Sequence, residues 1–220
     1  EMLVNPPPIG IPDNAHFEQP TNGGKIPGWT LLNPNSGEIS LTPEGEKPAD
    51  KPAGNQAIRF RSTGPLASLR TESFTPPSSR RVRIKMWLRV ENVEQQPSLQ
   101  FIVEDGKQYR RYANVGNGGF KIEDRWMPFD YDVVDLPLDG DTQLQFGFDI
   151  KGPGTVYVDD VQILDLYYEE PERKYLATIA LVNDFQLREG KLGECLSNLE
   201  GYWPRFINSN VPLPTGVARQ

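Results

Sequence analysis

Short runs of alternating apolar and polar residues dominate the chain between about residues 14 and 166. The clearest run spans residues 82–90, where apolar positions alternate with Arg83, Lys85, Trp87 and Arg89. A period of two places successive side chains on opposite faces of a β-strand. Similar runs surround Phe101 and Phe146, and turn-forming residues separate one run from the next. Many short strands with frequent turns are typical of an antiparallel sandwich or jelly roll.

The composition agrees with this pattern, because the 220 residues include 21 prolines and 20 glycines. Such numbers favour turns and short strands over long helices. The sequence therefore predicts a mostly-β protein, an antiparallel two-sheet β-sandwich. Its predicted core contains Val82, Ile84, Met86, Leu88, Phe101, Phe146 and Phe148.

Three regions are predicted along the chain. Residues 1–12 form a proline-rich arm, residues 13–168 the sandwich, and residues 169–220 a helical hairpin with a tail. Apolar residues recur at helical spacing on both sides of a break at residues 189–191, which predicts two helices. One such hairpin cannot bury its apolar face alone. We therefore expect it to contact the sandwich, another domain or another chain.

The counts of reactive residues exclude several kinds of chemistry. The chain has one cysteine, Cys195, and one histidine, His16, so it can form neither an internal disulfide nor a Cys/His zinc site. We find no phosphate-binding loop, nucleophile elbow or dinucleotide fingerprint, which argues against an enzyme. The net charge of -7 argues against nucleic-acid binding. The sequence contains no apolar run long enough to span a membrane.

Four short segments carry a family resemblance. Residues 14–18 (NAHFE) precede residues 26–30 (IPGWT), residues 54–60 read GNQAIRF, and residues 154–163 read GTVYVDDVQI. Together they resemble galactose-binding-like jelly rolls, above all the xylan- and glucan-type carbohydrate-binding modules found beside secreted glycoside hydrolases. The resemblance implies a jelly-roll fold, a non-catalytic glycan-binding role, and a secreted or cell-envelope location.

The resemblance also implies a structural Ca²⁺ ion that joins the two ends of the sandwich. Its ligands would be Glu18 and Asp159, with backbone carbonyls around His16 and Gln56. The sequence departs from the family pattern at Ala53, where an acidic residue often precedes the Gly-Asn pair. The alternative is that the two acids only accept hydrogen bonds at a turn and a strand end.

A ligand platform is predicted around Trp87, because alternation places its ring on the non-core face of its strand. Sugar-binding sites stack an aromatic ring on the apolar face of a pyranose and bind its hydroxyl groups with polar side chains. The predicted ligand-binding set is Trp87, Arg89, Gln100, Tyr109, Tyr112, Gln145 and Asp149. Which of the two tyrosines contributes depends on a register that the sequence leaves open. The alternative is that a loop or the helices cover Trp87.

Two functions remain open from the sequence. The first is a glycan-binding module, and the second is a structural or protein-interaction domain that has lost sugar binding. An exposed Trp87 in a groove favours the first function, and a Trp87 buried under the hairpin favours the second. Basic residues in the middle of the chain, such as Arg70, Arg83 and Arg110, either recognise an anionic polysaccharide or pair with neighbouring acids.

Overall fold

The chain divides into two compact units, one spanning Pro8–Asp165 and one that contains the C-terminal helices. The proline-rich arm as far as residue 7, Ala53, and the tail from residue 211 lie outside the described residues. The computed structural model describes residues 8–9, 12–52, 54–92, 94, 96–137, 141–165 and 170–210.

The first unit contains two five-stranded sheets, which confirms the predicted antiparallel sandwich. The first sheet has the strand order β1-β4-β9-β6-β7, and the second has the order β2-β3-β10-β5-β8. Within both sheets the paired strands are antiparallel. The strands are β1 (Trp29–Leu31), β2 (Gly37–Pro43), β3 (Gln56–Ser62), β4 (Leu66–Thr71), β5 (Val82–Arg89), β6 (Ser98–Glu104), β7 (Arg110–Gly116), β8 (Met127–Val133), β9 (Gln145–Lys151) and β10 (Gly154–Asp165).

The core lies between the two sheets, and its central contacts are aromatic. Phe148 packs edge-on against Phe101 and Phe146, with ring centroids 5.8 and 5.0 Å apart. Trp29 lies 6.0 Å from the same ring. The predicted core is confirmed, since each of its seven members is at most 2% exposed. Side chains at the intervening positions therefore lie on the outer faces of the sheets.

A β-bulge interrupts β10 between Asp159 and Gln162. Asp159 pairs with Trp87, whereas Gln162 pairs with Lys85, so β10 contains one residue more than its partner strand. Asp160 sits in the bulge with a φ of 51°, a left-handed conformation that aspartate tolerates better than most residues. Regular alternation would direct the two neighbouring aspartates to opposite faces, but the bulge brings both carboxylates to the same lysine, described below.

The second unit contains three helices, α1 (Glu170–Arg188), α2 (Leu192–Leu199) and α3 (Tyr202–Asn210). The first two are those predicted, and Gly190, with a φ of 72°, follows the end of α1 as a left-handed residue. The third was not predicted. Its Pro204 falls in the first turn, where the backbone N–H groups have no partner within the helix and a proline is tolerated. Among the described helices, none has the length and apolar character to cross a membrane.

The apolar stripe predicted for these helices is buried only in part. Leu176 and Cys195 are buried, and Asn198 donates hydrogen bonds from α2 to Asn183 and Gln186 of α1. Much of the remaining apolar surface is solvent-exposed. The exposed side chains include Leu181, Val182, Phe185, Leu187, Leu192, Leu196 and Leu199.

The burial of Phe148 in the aromatic core leads to a prediction about stability. Replacing Phe148→Ala removes a fully buried ring that contacts three other aromatic side chains, and it should lower the free energy of unfolding by about 3–5 kcal/mol. Lys85→Ala, an exposed change on the outer face of the second sheet, should change it by less than about 0.5 kcal/mol. Urea unfolding of both variants checks this. Equal midpoints would contradict the position of Phe148 in the core.

Candidate functional site

The predicted ligand platform is divided between the two sheets, so the interpretation that its residues share one surface is wrong. Trp87 and Arg89 belong to β5 in the second sheet, whereas Gln100, Tyr112, Gln145 and Asp149 belong to β6, β7 and β9 in the first. The chain passes from one sheet to the other between β5 and β6. The outer faces of the two sheets of a sandwich point in opposite directions.

Side chains on the outer face of the first sheet form two neighbouring rows across β7, β6, β9 and β4. We call this surface the polar face. Its first row contains Tyr112, Ile102, Gly147 and Arg70, and its second row contains Asn114, Gln100, Asp149 and Ser68. Tyr112 is 58% exposed at the β7 edge, while Gln100 donates a hydrogen bond of 2.8 Å to Asn114 Oδ1.

Four charged side chains neutralise one another on the polar face. Arg70 donates hydrogen bonds to Glu104, at 2.7 Å, and to Asp149, at 2.8 Å. Arg110 lies 2.9 Å from the second Asp149 oxygen and 3.5 Å from Glu104. Arg70 is 2% exposed, so its charge is paired inside the protein. Of the two alternatives for the basic residues, pairing with acids is confirmed for Arg70 and Arg110, and for Arg83, which pairs with Asp132.

The buried position of Arg70 depends on a glycine beside it. A Cβ atom at Gly147 would lie 2.6 Å from Arg70 Cδ and 2.0 Å from the Leu69 carbonyl oxygen. Only a residue without a side chain leaves room for the arginine to cross the sheet and reach Asp149. Because β9 has no side chain at Gly147, the aliphatic part of Arg70 can lie directly over the backbone of that strand.

Two further residues of the predicted ligand-binding set, Tyr109 and Gln145, differ in position. Tyr109 packs against the main core, with the Arg111 guanidinium 5.0 Å from the centre of its ring, and burial raises the pKa of its hydroxyl group. Gln145 lies at the start of β9 and donates a 2.9 Å hydrogen bond to the Thr71 carbonyl. Of the two tyrosines that the sequence left open, Tyr112 is therefore the one on the polar face.

Trp87 is 9% exposed on the outer face of the second sheet, where it belongs to a small buried cluster with Ala57, Trp126 and Tyr157. The Trp126 indole donates a 2.9 Å hydrogen bond to the Glu44 carbonyl. These neighbours all lie in the sandwich unit. Trp87 is therefore largely covered by side chains of its own domain.

Arg89 also contributes to this cluster. Its guanidinium lies 4.4 Å from the ring centre of Tyr157 and 5.5 Å from that of Trp126. The Tyr157 hydroxyl is hydrogen-bonded to Glu91. The Arg89 guanidinium therefore packs against two aromatic rings, and Arg89 helps to shield the aromatic cluster on the outer face of the second sheet from solvent.

The two predicted metal ligands have other partners. Glu18 Oε1 accepts hydrogen bonds from the backbone amides of Asn55, at 2.6 Å, and Gln56, at 2.9 Å. Burial opposes ionisation of Glu18, but these amides outweigh it and lower its pKa. Asp159 accepts one hydrogen bond from the Asp160 amide and another from the Lys51 ammonium, at 2.7 and 2.6 Å.

Lys51 reaches two further acids, which the sequence analysis missed. Its Nζ atom lies 2.7 Å from Asp160 and 3.0 Å from Glu44. Burial would lower the pKa of Lys51, but its hydrogen bonds to Asp159, Asp160 and Glu44 outweigh burial and raise that pKa. Burial is also the main influence on Asp159 and raises the pKa of its carboxyl group to about 7, while Lys51 acts in the opposite direction.

These contacts do not fit the calcium site implied by the resemblance. Calcium requires six to eight oxygen ligands around one point. One Glu18 oxygen instead caps two backbone amides, and Asp159 faces an ammonium group. Within the described residues, no group of three acidic, histidine or cysteine side chains is arranged to hold a metal ion.

No protein-family model matches the chain, and no curated protein matches it in sequence. An arabinose-bound α-L-arabinofuranosidase, MgGH51, is 11% identical with a TM-score of 0.52, over 69% of this chain and 25% of that one. The CBM22-1 xylan-binding domain of Paenibacillus barcinonensis Xyn10C is 18% identical with a TM-score of 0.48, over 70% and 94%. A cyclase from Fischerella sp. TAU is 15% identical with a TM-score of 0.49, over 68% and 92%.

These likenesses concern the fold. The chain spans about a quarter of the arabinofuranosidase. The jelly-roll fold that the sequence resemblance implied is confirmed by the two antiparallel sheets. The class of protein is therefore a jelly-roll β-sandwich domain, and its ligand has to be argued from the site.

The paired charges on the polar face generate a second prediction. Arg70→Met leaves the Asp149 carboxylate buried with one partner fewer, and it should lower the free energy of unfolding by about 3–5 kcal/mol. Arg61→Met is the matched control, since Arg61 pairs with Glu38 at 3.7 Å on an exposed surface, and such pairs contribute about 0–1 kcal/mol. Urea unfolding compares the two. Similar losses in both variants would contradict a buried network.

Proposed function

We propose that the sandwich is a non-catalytic glycan-binding module that holds a polysaccharide on the polar face of the first sheet. The observation that carries this proposal is an exposed aromatic ring, Tyr112, beside fixed hydrogen-bonding side chains. The sequence resemblance to xylan- and glucan-type binding modules supports the same ligand class. It also supports a secreted or cell-envelope location.

The chemistry of the polar face suits a sugar chain. The Tyr112 ring is 58% exposed and can cover the apolar C–H face of a pyranose. Asn114, two residues farther along the same strand, is exposed on the same face. Its amide, together with Gln100 and the partly exposed side chain of Arg110, provides donors and acceptors for sugar hydroxyl groups. A small number of placed polar groups around an apolar contact is the usual composition of a ligand site.

The charge of the polar face favours a neutral polysaccharide over an anionic one. Arg70 and Arg110 provide two positive charges, and Glu104 and Asp149 provide two negative ones within hydrogen-bonding or ion-pair distance. An anionic ligand would have to compete with these carboxylates for the arginines. A neutral sugar needs only the remaining hydrogen-bonding positions of the network, so the ion pairs can stay in place.

Tyr112→Ala tests the proposal. The change should weaken binding to insoluble xylan or β-glucan by at least about tenfold, because the ring supplies the stacking contact. It should leave the melting temperature unchanged, since the ring is exposed. Tyr175→Ala is the matched control, because Tyr175 is 55% exposed on α1 and lies in the other unit. Pull-down isotherms on a polysaccharide panel provide the measurement.

The proposal fails if the parent protein binds no polysaccharide of the panel. It also fails if Tyr112→Ala and Tyr175→Ala retain parental affinity alike, because the polar face would then have no part in binding. Loss of binding in Trp87→Leu should, by contrast, accompany loss of stability, since Trp87 is buried in the second sheet's aromatic cluster.

A protein-interaction role is the second candidate, and the exposed apolar side chains of the helices favour it. Leu181 is 73% exposed and Leu196 60% exposed, and several exposed apolar side chains on neighbouring helices are typical of an interaction surface. Self-association is the simplest form of such a role. Sedimentation velocity of the chain should then show concentration-dependent dimers that Leu181→Glu abolishes. A monomer at all concentrations would leave this form of the role without support.

A further inference from the structure

Asp159, one of the two acids expected to bind calcium, is one of three acids that surround a lysine side chain. Lys51 Nζ lies 2.6 Å from Asp159, 2.7 Å from Asp160 and 3.0 Å from Glu44. The side chain of Lys51 is completely buried, and those of the three acids are 1–2% exposed. Four ionisable groups are thus removed from solvent around one nitrogen atom.

The number of donors on the ammonium matches the number of acids. A lysine ammonium has three N–H bonds, and three different carboxylates lie within ion-pair distance of it. A calcium ion bound to Asp159 would lie about 2.3–2.6 Å from a carboxylate oxygen. The lysine nitrogen already lies 2.6 Å from Oδ2 of that residue. Two cations cannot share these oxygens without strong repulsion.

Two local features of the backbone bring the lysine and the acids together. Lys51 lies in the segment between β2 and β3, which is closed at its base by a 3.2 Å hydrogen bond from the Glu44 amide to the Asn55 carbonyl. The bulge in β10 supplies Asp159 and Asp160 side by side. The segment therefore carries both the cation and one acid, while the sheet carries the other two acids.

Two further side chains lie beside the acids of the group. Lys47 Nζ lies 3.1 Å from the Glu44 carboxylate, and His16 Nδ1 lies 2.5 Å from Asp160 Oδ1. Both side chains are partly exposed, at 30% and 47%. Three carboxylates are thus faced by one buried ammonium and by two side chains at the surface.

We propose that Lys51 is an internal cation of this sandwich, which pairs with Glu44, Asp159 and Asp160 and fastens the segment between β2 and β3 to β10 in place of a structural calcium ion. The positive charge opposite these carboxylates is then supplied by a side chain of the protein itself. Its stability does not depend on the calcium concentration around it, unlike that of a domain closed by a bound ion.

The first experiment uses the parent protein. Its melting temperature in a calcium chelator should equal that in millimolar calcium, and elemental analysis after dialysis should find no stoichiometric calcium. A melting temperature that falls by several degrees in chelator and returns with calcium would overturn the proposal, because an ion would then be stabilising the folded state.

The second experiment removes the lysine. Lys51→Ala leaves three buried carboxylates without their cation and should lower the melting temperature by about 10 °C. Lys85→Ala, which truncates an exposed lysine of the same sheet, should leave it unchanged. Calcium should raise the melting temperature of Lys51→Ala and not that of Lys85→Ala, since the ion can enter the vacated space. The proposal that Lys51 takes the place of a calcium ion would be overturned if Lys51→Ala melted at the parental temperature. It would also be overturned if calcium did not raise the melting temperature of that variant.

A further variant covers the case in which Lys51→Ala does not fold. The triple variant Lys51→Met, Asp159→Asn and Asp160→Asn removes the cation together with two of its acids. It should fold, should melt above Lys51→Ala and should not respond to calcium. A triple variant that is no more stable than Lys51→Ala would overturn the proposal, because unbalanced carboxylate charge would then not be the cause of the loss.

Discussion

The packing of two sheets against one aromatic core is the interaction on which the rest of the sandwich depends. Phe148 on β9 contacts Phe101 and Phe146 within the first sheet and Trp29 at its β1 edge, and each side chain is almost fully buried. Because one face of every strand serves this core, the alternate residues are left to the outer faces. On each outer face, polar side chains then need hydrogen-bond or ion-pair partners, and aromatic rings are either packed against neighbours or exposed to solvent.

The two outer faces differ in how they meet this requirement. On the first sheet, Arg70 lies across Gly147 and pairs with acids, which leaves Tyr112 open to solvent at the edge. On the second sheet, an aromatic cluster around Trp87 is closed over, and Lys51 is buried with its acids beside it. The exposed aromatic ring therefore belongs to the first sheet, whereas the aromatic cluster and the lysine of the second sheet are buried.

Sequence patterns predicted the strands and the inward faces well, and the site less well. Alternation identified the core side of β5, β6 and β9 because the period of a strand is local. It could not identify which strands are neighbours, and so Trp87 was grouped with Gln100 across two different sheets. The adjacent aspartates at residues 159 and 160 did indicate an irregularity. In a regularly alternating strand, one of two adjacent side chains faces the core, so one of the two carboxylates would be buried there. That irregularity indicated a need for a cation without identifying Lys51.

The sequence by itself determined the class of fold, the core residues and the existence of C-terminal helices, because each follows from local periodicity and from turn residues. Only the tertiary structure decided that Tyr112 rather than Trp87 is the exposed ring, and that a lysine faces Asp159, one of the two acids expected to bind calcium. Those outcomes depend on contacts between distant residues, such as Lys51 with Asp159. Strand order, a one-residue bulge and the path of a loop set such contacts, and none of these has a periodic signature in the chain.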